Sequence, residues 1–273
     1  MTELGKAIPA SFDALDDILQ RRPVLWVDPS ITFMAGESAM TRLLHSLVKA
    51  SNDRLDMDAP IKDIVAAFVA GMGVATYGDL VDQHRQTPNR LHRACGLLAD
   101  LGCFPIIVTR DNLMDKALAS AGVAFKTVEV IEDHSPEVQI LRLPPTQLYE
   151  SFFLEKDHDF WLLSDQINVL NTNTHALIGR QHLVLGRLDP DLLVWLAAAS
   201  AEEPGPGSWR VLTTSEEWRS SQARALLFGE QKTWNSKLAD ILARRDIRPL
   251  LANTGSEMVD LFQSLAVRTA GHG

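Results

Sequence analysis

The chain has 273 residues, 46% of them hydrophobic and 22% charged, and its formal net charge at pH 7 is −9. These proportions predict a globular protein with an ordinary core, and the negative charge argues against general nucleic-acid binding, which needs clustered Lys and Arg. The sequence shows neither a signal-peptide pattern nor an apolar run long enough to span a bilayer, and its two cysteines are too few for a structural zinc site or a disulfide framework. We therefore expect a soluble, cytoplasmic protein that holds no metal ion.

Helical and strand patterns alternate along the first part of the chain. After Ser11, a candidate helix cap, apolar residues recur at helical spacing within residues 1–22. The continuous apolar run Val24–Val27 then predicts a buried strand. Further helices are predicted at 39–49, 61–69, 77–85 and 91–101, and a second buried strand at 104–108.

The same alternation continues to the end of the chain. Further strands are predicted at 126–131, 138–143, 182–185 and 209–213, the last of these being the final strand. Further helices are predicted at 112–120, 160–168, 191–200, 215–224, 231–245 and 257–268. Strands alternating with helices indicate the α/β class, with a doubly wound, mostly parallel, Rossmann-like sheet. We expect one domain over 1–273, with a helical insertion at approximately 51–90 and helices at its C-terminal end.

The turn after the first strand has the position of a phosphate-binding turn without its usual residues. In a dinucleotide-binding fold, a Gly-rich turn at this place lets backbone N–H groups reach the pyrophosphate. Asp28 and Pro29 stand there instead. Pro29 has no N–H to donate, and Asp28 puts a negative charge where a phosphate would approach.

This turn is the first of three segments that together resemble the sirtuin-like family, particularly its bacterial zinc-free branch. That family has a strand followed by a turn patterned G-A-G-x-S-x-x-x-G. In this sequence Asp28 falls at the first Gly, Pro29 at the Ala and Ser30 at the second Gly, while Thr32 falls at the Ser. Gly36 falls at the last Gly and is the one small residue of the motif that is kept.

The second and third segments are altered at the family's catalytic positions. Residues 89–122 resemble its helix, strand and T-T-N-x-D loop, with Arg110 at the catalytic Asn and Asn112 at the Asp. Residues 140–145 resemble a strand that ends in a leucine, the catalytic His and a Gly, with Pro144 at the His position. Residues 182–196 resemble a later strand and a D-P-D-L helix start, so the resemblance covers roughly 23–265.

The resemblance implies cleavage of the bond between nicotinamide and ribose, with the Asn orienting water or ribose and the His acting as general base. Pro144 has no group that can take or give a proton. Arg110 puts a permanent cation in place of a neutral amide. No catalytic residue is therefore expected, and the altered crevice is predicted to consist of Asp28, Ser30, Thr32, Gly36, Thr109, Arg110 and Asn112.

Three hypotheses follow. The first is a catalytically degraded sirtuin-like domain that acts as a non-enzymatic binding or assembly module, with a protein partner, a homo- or hetero-oligomeric state and no cofactor. The second is an NAD-consuming hydrolase of antiviral defence whose non-standard site uses Thr109, Arg110, Asn112 and either His134 or His158. The third is a sensor of an anionic, nucleotide-like ligand anchored by Arg110. None of the three involves nucleic acid or a membrane.

Some other residues receive structural interpretations. His92 falls at a position that is often His in the family, and we expect it on a helix surface or in the core. Cys95 and Cys103 are expected to be buried and inert. Trp218 and Trp234 lie among charged residues and are the candidates for a protein interface.

Overall fold

The computed structural model describes residues 8–28, 31, 46–51, 61–73, 75–77, 80, 88–143, 163–186, 209–215, 218 and 247–271. Within these ranges, eight strands form one sheet in which every neighbouring pair is parallel. The strands are β1 (Ile8–Pro9), β2 (Val24–Val27), β3 (Ile106–Thr109), β4 (Phe125–Val128), β5 (Val138–Arg142), β6 (His182–Leu185), β7 (Trp209–Thr214) and β8 (Ile247–Ala252). The predicted α/β, Rossmann-like class is confirmed.

The helices lie between these strands and after the last of them. They are α1 (Phe12–Gln20), α2 (Ile61–Met72), α3 (Arg90–Asp100), α4 (Leu113–Ala121), α5 (Leu163–Thr172), α6 (Thr174–Leu177) and α7 (Gly255–Gly271). Residues 46–50 are also helical. No helix in the described part of the chain combines the length and the apolar character needed to cross a membrane.

The strand order reverses beside β2, and this position defines where a ligand crevice would lie. The order across the sheet is β1-β8-β7-β6-β2-β3-β5-β4. From β2 the chain builds outward through β3 on one side and returns through β6 on the other, so Leu25 faces Ile107 on one strand and Leu183 on the next. In open α/β sheets, ligands bind outside the carboxyl ends of the strands at such a reversal.

Each face of the sheet has its own hydrophobic cluster, because alternate side chains of a strand point to opposite faces. The α3 face packs Leu25 and Ile107 against α1, α3, α4 and α7, and it includes the fully buried Phe262. The Trp26 face packs Trp26 and Trp209 against residues of α5 and α6. Helices therefore cover both faces, as a doubly wound sheet requires.

Most predicted elements are confirmed to within a few residues. The bounds of β2 and β6 agree with the prediction, and the Ser11 side chain accepts the N–H of Ala14 at 3.3 Å as the predicted cap of α1. Gly122 ends α4 in the left-handed conformation, with φ 75°. The predicted helices at 191–200 and 231–245 lie outside the described residues, as do all but two residues of those at 77–85 and 215–224.

The prediction that 209–213 is the final strand is wrong, since β8 follows β7 and pairs with it. Pro249 conceals β8, because proline is rarely found inside a strand with two neighbours. The carbonyl of Leu251 accepts the N–H of Ala10 at 2.9 Å. Pro249, two residues earlier, is therefore directed to the same side, toward the two-residue edge strand β1. Its missing N–H leaves the β7 side of the ladder intact.

Replacement of Gly96 by Ala tests the close packing of α3 on α4. A Cβ on Gly96 would lie 3.0 Å from the carbonyl oxygen of Ala117, which belongs to a helix backbone. We expect Gly96→Ala to lower the free energy of unfolding in urea by about 1–3 kcal/mol, as overpacking does.

Gly71→Ala in α2 is the matched control, since a Cβ there meets nothing within 4 Å. Alanine favours a helix over glycine by up to about 1 kcal/mol, so this variant should be at least as stable as the parent. A Gly96→Ala protein that gained stability like the control would contradict the tight α3–α4 contact.

Candidate functional site

Asp28 and Arg110 form an ion pair at the carboxyl edge of the sheet. They follow β2 and β3 directly, and these strands are in register with Val27 opposite Thr109. Nη1 of Arg110 lies 3.7 Å from Oδ2 of Asp28, and the two side chains are only 13% and 14% exposed. The carboxylate at the altered turn and the cation at the family's Asn position therefore neutralise each other.

The backbone of Asp28 is engaged as well. Its N–H donates to the carbonyl of Leu185 at the end of β6, at 3.0 Å. The first N–H of the turn is thus committed to the sheet, and the next residue, Pro29, has none. A phosphate approaching β2 would meet a carboxylate already paired with Arg110, and it would lack these two backbone donors.

Thr109 and Asn112 do not join this pair. Thr109 is buried, it alternates with Val108 onto the α3 face, and its Oγ1 accepts the N–H of Asp111 at 3.4 Å. Asn112 is exposed and makes no capping hydrogen bond to α4. Asp111 takes that role, since its Oδ1 accepts the N–H of Leu113 at 2.9 Å. Of the predicted crevice residues that the structure describes, it brings Asp28 and Arg110 together and leaves Thr109 and Asn112 apart.

Of the remaining predicted positions, His134 is the one that lies within the described residues. Ser30, Thr32 and Gly36 lie outside the described residues, and so do Pro144 and His158. His134 is exposed and stands four residues before β5 begins, toward the amino edge of the sheet. Arg110 lies at the opposite, carboxyl edge.

A second ion pair, which the sequence patterns do not reveal, stabilises the loop that carries Arg110. Nη2 of Arg142, the last residue of β5, contacts both carboxylate oxygens of Asp115 in α4 at 2.6 Å. Nη1 of the same guanidinium donates to the carbonyl of Asp111. Hydrogen bonds between a guanidinium and a carboxylate are charge-assisted, and so are shorter and stronger than neutral ones. Arg142 thus ties the loop between β3 and α4 to the next strand.

His92 is a buried histidine near the same edge, so of the two expected locations, helix surface and core, it occupies the core. Asn89 caps α3 through its Oδ1, which accepts the N–H groups of Leu91 and His92 at 3.0 Å, and its Nδ2 donates to the carbonyl of Ile31 at 2.8 Å. Nδ1 of His92 lies 2.7 Å from Asn89 Oδ1. Because an amide oxygen only accepts, Nδ1 carries the ring proton.

The other ring nitrogen of His92 determines the protonation state of the imidazole. Nε2 is buried and has no hydrogen-bond partner in the described part of the chain. Burial lowers the pKa of His92 to about 3, because a charged ring would lose its hydration without gaining a counter-charge. His92 is therefore neutral at physiological pH.

An aromatic cluster packs on the Trp26 face of the sheet, and Trp26 itself stands two residues before Asp28. The indole N–H of Trp26 donates to Nδ1 of His182 at 3.0 Å, and the His182 ring stacks on Trp209 at 3.8 Å between centroids. All three side chains are buried. Trp26 thus belongs to the hydrophobic core on this face of the sheet.

The expectations for the cysteines and Trp218 have different outcomes. Cys95 and Cys103 are buried, and burial raises the pKa of both thiols, which confirms that they are structural. Trp218 is only 7% exposed and packs in the cluster of the Trp26 face, so its prediction as an interface residue is wrong. Trp234 lies outside the described residues. Among those that are described, no group of three or more His, Cys, Asp or Glu side chains is placed to hold a metal ion.

Fold and site together define a Rossmann-like α/β protein with an ion pair at the carboxyl edge of its sheet, beside the strand-order reversal. In comparisons with known proteins, the chain matches no protein-family model and no curated protein.

A double-mutant cycle measures the coupling between Asp28 and Arg110. Removing one partner of a mostly buried pair leaves the other charge poorly solvated, so Asp28→Asn and Arg110→Met should each lower the free energy of unfolding by about 2–4 kcal/mol. The double variant should lose less than the sum, with a coupling of about 1–3 kcal/mol.

The exposed pair Asp17–Arg21, whose side chains are 65% and 56% exposed, is the matched control for this cycle. Its coupling should stay below about 1 kcal/mol, since solvent screens it. Additive effects of Asp28→Asn and Arg110→Met would show that the crevice pair is not an energetic unit.

The lowered pKa of His92 predicts a specific dependence of stability on pH. Between pH 6.5 and about 3 the unfolded chain binds a proton that folded His92 rejects. The His92 contribution to stability is therefore complete above pH 6.5 and falls by up to about 1.4 kcal/mol for each pH unit below it. The measurement compares urea unfolding of the parent and His92→Gln from neutral pH to pH 4.

His175→Gln, which changes an exposed histidine of α6, is the control and should keep the pH slope of the parent. His92→Gln should flatten it. Parallel slopes for the parent and His92→Gln would contradict a neutral, buried His92.

Proposed function

We propose that this chain is a catalytically degraded sirtuin-like domain that works as a non-enzymatic binding or assembly module. The observation that carries the proposal is the Asp28–Arg110 ion pair at the strand-order reversal. It involves two of the positions at which the sequence departs from the sirtuin-like motifs. It also lies where a Rossmann-like protein would bind a nucleotide.

The ion pair supports the proposal because it is incompatible with both parts of the family's chemistry. Nucleotide binding at this edge needs backbone donors and a cation that can meet phosphate. Here the N–H of Asp28 bonds to the carbonyl of Leu185, and its carboxylate pairs with Arg110. Nicotinamide cleavage needs a neutral amide and a general base. Arg110 supplies a cation held by a carboxylate, and Pro144 supplies no titratable group.

The same contacts weigh against the two other hypotheses. A hydrolase using Thr109, Arg110, Asn112 and either His134 or His158 would need these side chains to converge, and His158 lies outside the described residues. Thr109 is buried, Asn112 is exposed, and His134 lies toward the amino edge of the sheet. An anion sensor anchored by Arg110 would have to displace Asp28 from the guanidinium first.

Within the proposed function, the predicted helical insertion at approximately 51–90 is the element that would contact a partner. Helix α2 forms a cluster with Leu47 and Tyr77, centred on Phe68, that is separate from the clusters on the two faces of the sheet. A helical unit with its own small core can present a surface without disturbing the sheet. We include it in the proposed sirtuin-like architecture as a candidate binding element.

An NAD hydrolysis assay tests this function. The purified chain is incubated with millimolar NAD, and nicotinamide release is followed by chromatography. We expect no release above the protein-free blank, because Pro144 and Arg110 stand where the family has its general base and its neutral amide. Release that is lost in Arg110→Ala and in Asn112→Ala, and kept in the control Arg93→Ala on the outer surface of α3, would overturn the proposal.

A further inference from the structure

The outer surface of α3 carries an apolar centre between two opposite charges. Arg93, Leu97 and Asp100 lie at i, i+4 and i+7 and so share one side of the helix. All three are exposed, Leu97 by 49%, and Leu101 beside them by 37%. Neither Arg93 nor Asp100 has a side-chain ion pair within the described part of the chain. The surface therefore runs from a positive end through leucine to a negative end.

Neighbouring helix α7 extends this apolar centre. Nη2 of Arg90 donates to Oε1 of Gln263 at 3.1 Å, so these two residues lie at about the same height along the two helix axes. Both run from the carboxyl edge of the sheet toward the amino edge, since α3 leads into β3 and α7 follows β8. Val267, one turn beyond Gln263 and 75% exposed, therefore lies within about one turn of Leu97 along the helix direction.

This order of charges is complementary to itself under a two-fold rotation. If a second α3 is laid antiparallel across the first with the axis beside Leu97, the two Leu97 side chains meet at the centre. Arg93 of each copy then faces Asp100 of the other. The two Arg93–Asp100 contacts made in this way are about 10 Å apart along the helix axis. A two-fold interface requires such a self-complementary patch.

We propose that the surface formed by Arg93, Leu97, Asp100, Leu101 and Val267 binds a second copy of this chain through antiparallel α3 helices. This deepens the assembly role proposed above, and rests on it, by naming one partner. A contact made by two helices from each copy would bury about 1,200 Å² in total, which is the small end of the range for specific interfaces. The dimer should therefore be reversible, with dissociation in the range of about 1–100 μM.

Sedimentation velocity over a concentration series, on the full chain, tests the dimer. The parent should shift from monomer to dimer, and Leu97→Glu should weaken association at least about tenfold, since it places two like charges at the centre. Val130→Glu is the matched control, because Val130 is also 49% exposed but lies in the loop between β4 and β5. It should associate like the parent.

Charge exchange tests the antiparallel arrangement. Arg93→Asp alone puts carboxylates opposite each other, and Asp100→Arg alone does the same with guanidinium groups, so each variant should be monomeric. Mixed together, the two variants have opposite charges at both contacts and should form a heterodimer. The double variant Arg93→Asp/Asp100→Arg should dimerise again. Unchanged thermal unfolding would show that these exposed substitutions leave the fold intact.

Each outcome decides the proposal. A parent that stays monomeric throughout the series overturns it, and so does a dimer that Leu97→Glu does not weaken. Single charge variants that fail to associate on mixing overturn the antiparallel arrangement. Failure here is distinguishable from failure of the proposed function, because the NAD assay reports on the crevice at the sheet edge and these variants change the outside of α3.

Discussion

Asp28 connects three neighbouring strands, β2, β3 and β6, at the point where the strand order reverses. Its carboxylate pairs with Arg110 after β3, and its N–H bonds to the carbonyl of Leu185 at the end of β6. These contacts occupy the side chain and the backbone donor of the residue where a nucleotide-binding protein would offer a glycine. The chemistry available at this edge follows from that arrangement.

The loop that carries Arg110 is fixed from a second side. Arg142 at the end of β5 binds Asp115 through two contacts of 2.6 Å and also reaches the carbonyl of Asp111. A guanidinium held by its neighbours and paired with a carboxylate is a structural element. A free cation in the same place would be an anion site. The two ion pairs therefore compensate the charges of Arg110 and Arg142 at this edge.

Local patterns were sufficient to predict much of the fold. The apolar runs of β2 and β6, the Ser11 cap and the stop of α4 at Gly122 depend on short segments of sequence, and each was predicted. The sequence does not predict β8, because Pro249 fits a strand here only beside the short edge strand β1, which is a property of the sheet order. The charged sequence neighbours of Trp218 predict a surface position, but they carry no information about the cluster that covers it.

The site was less predictable for the same reason. Asp28 and Arg110 were each identified as altered positions, but their pairing depends on the register of β2 against β3 across 82 residues of chain. Taken separately, the charge of Asp28 indicates repulsion of phosphate and that of Arg110 indicates attraction. The register shows that the two charges meet. The Arg142–Asp115 pair and the contact between Asn89 and His92 likewise depend on helix and strand placement. No sequence spacing in this chain predicts either contact.

Calorimetric titration of the intact chain with NAD and with ADP-ribose tests the central claim most directly. If Asp28 and Arg110 neutralise each other and the first N–H of the turn belongs to the sheet, no saturable heat should appear at millimolar ligand. Saturable binding of either compound that disappears in Arg110→Ala would contradict the account, because it would show that the guanidinium serves a nucleotide and not Asp28.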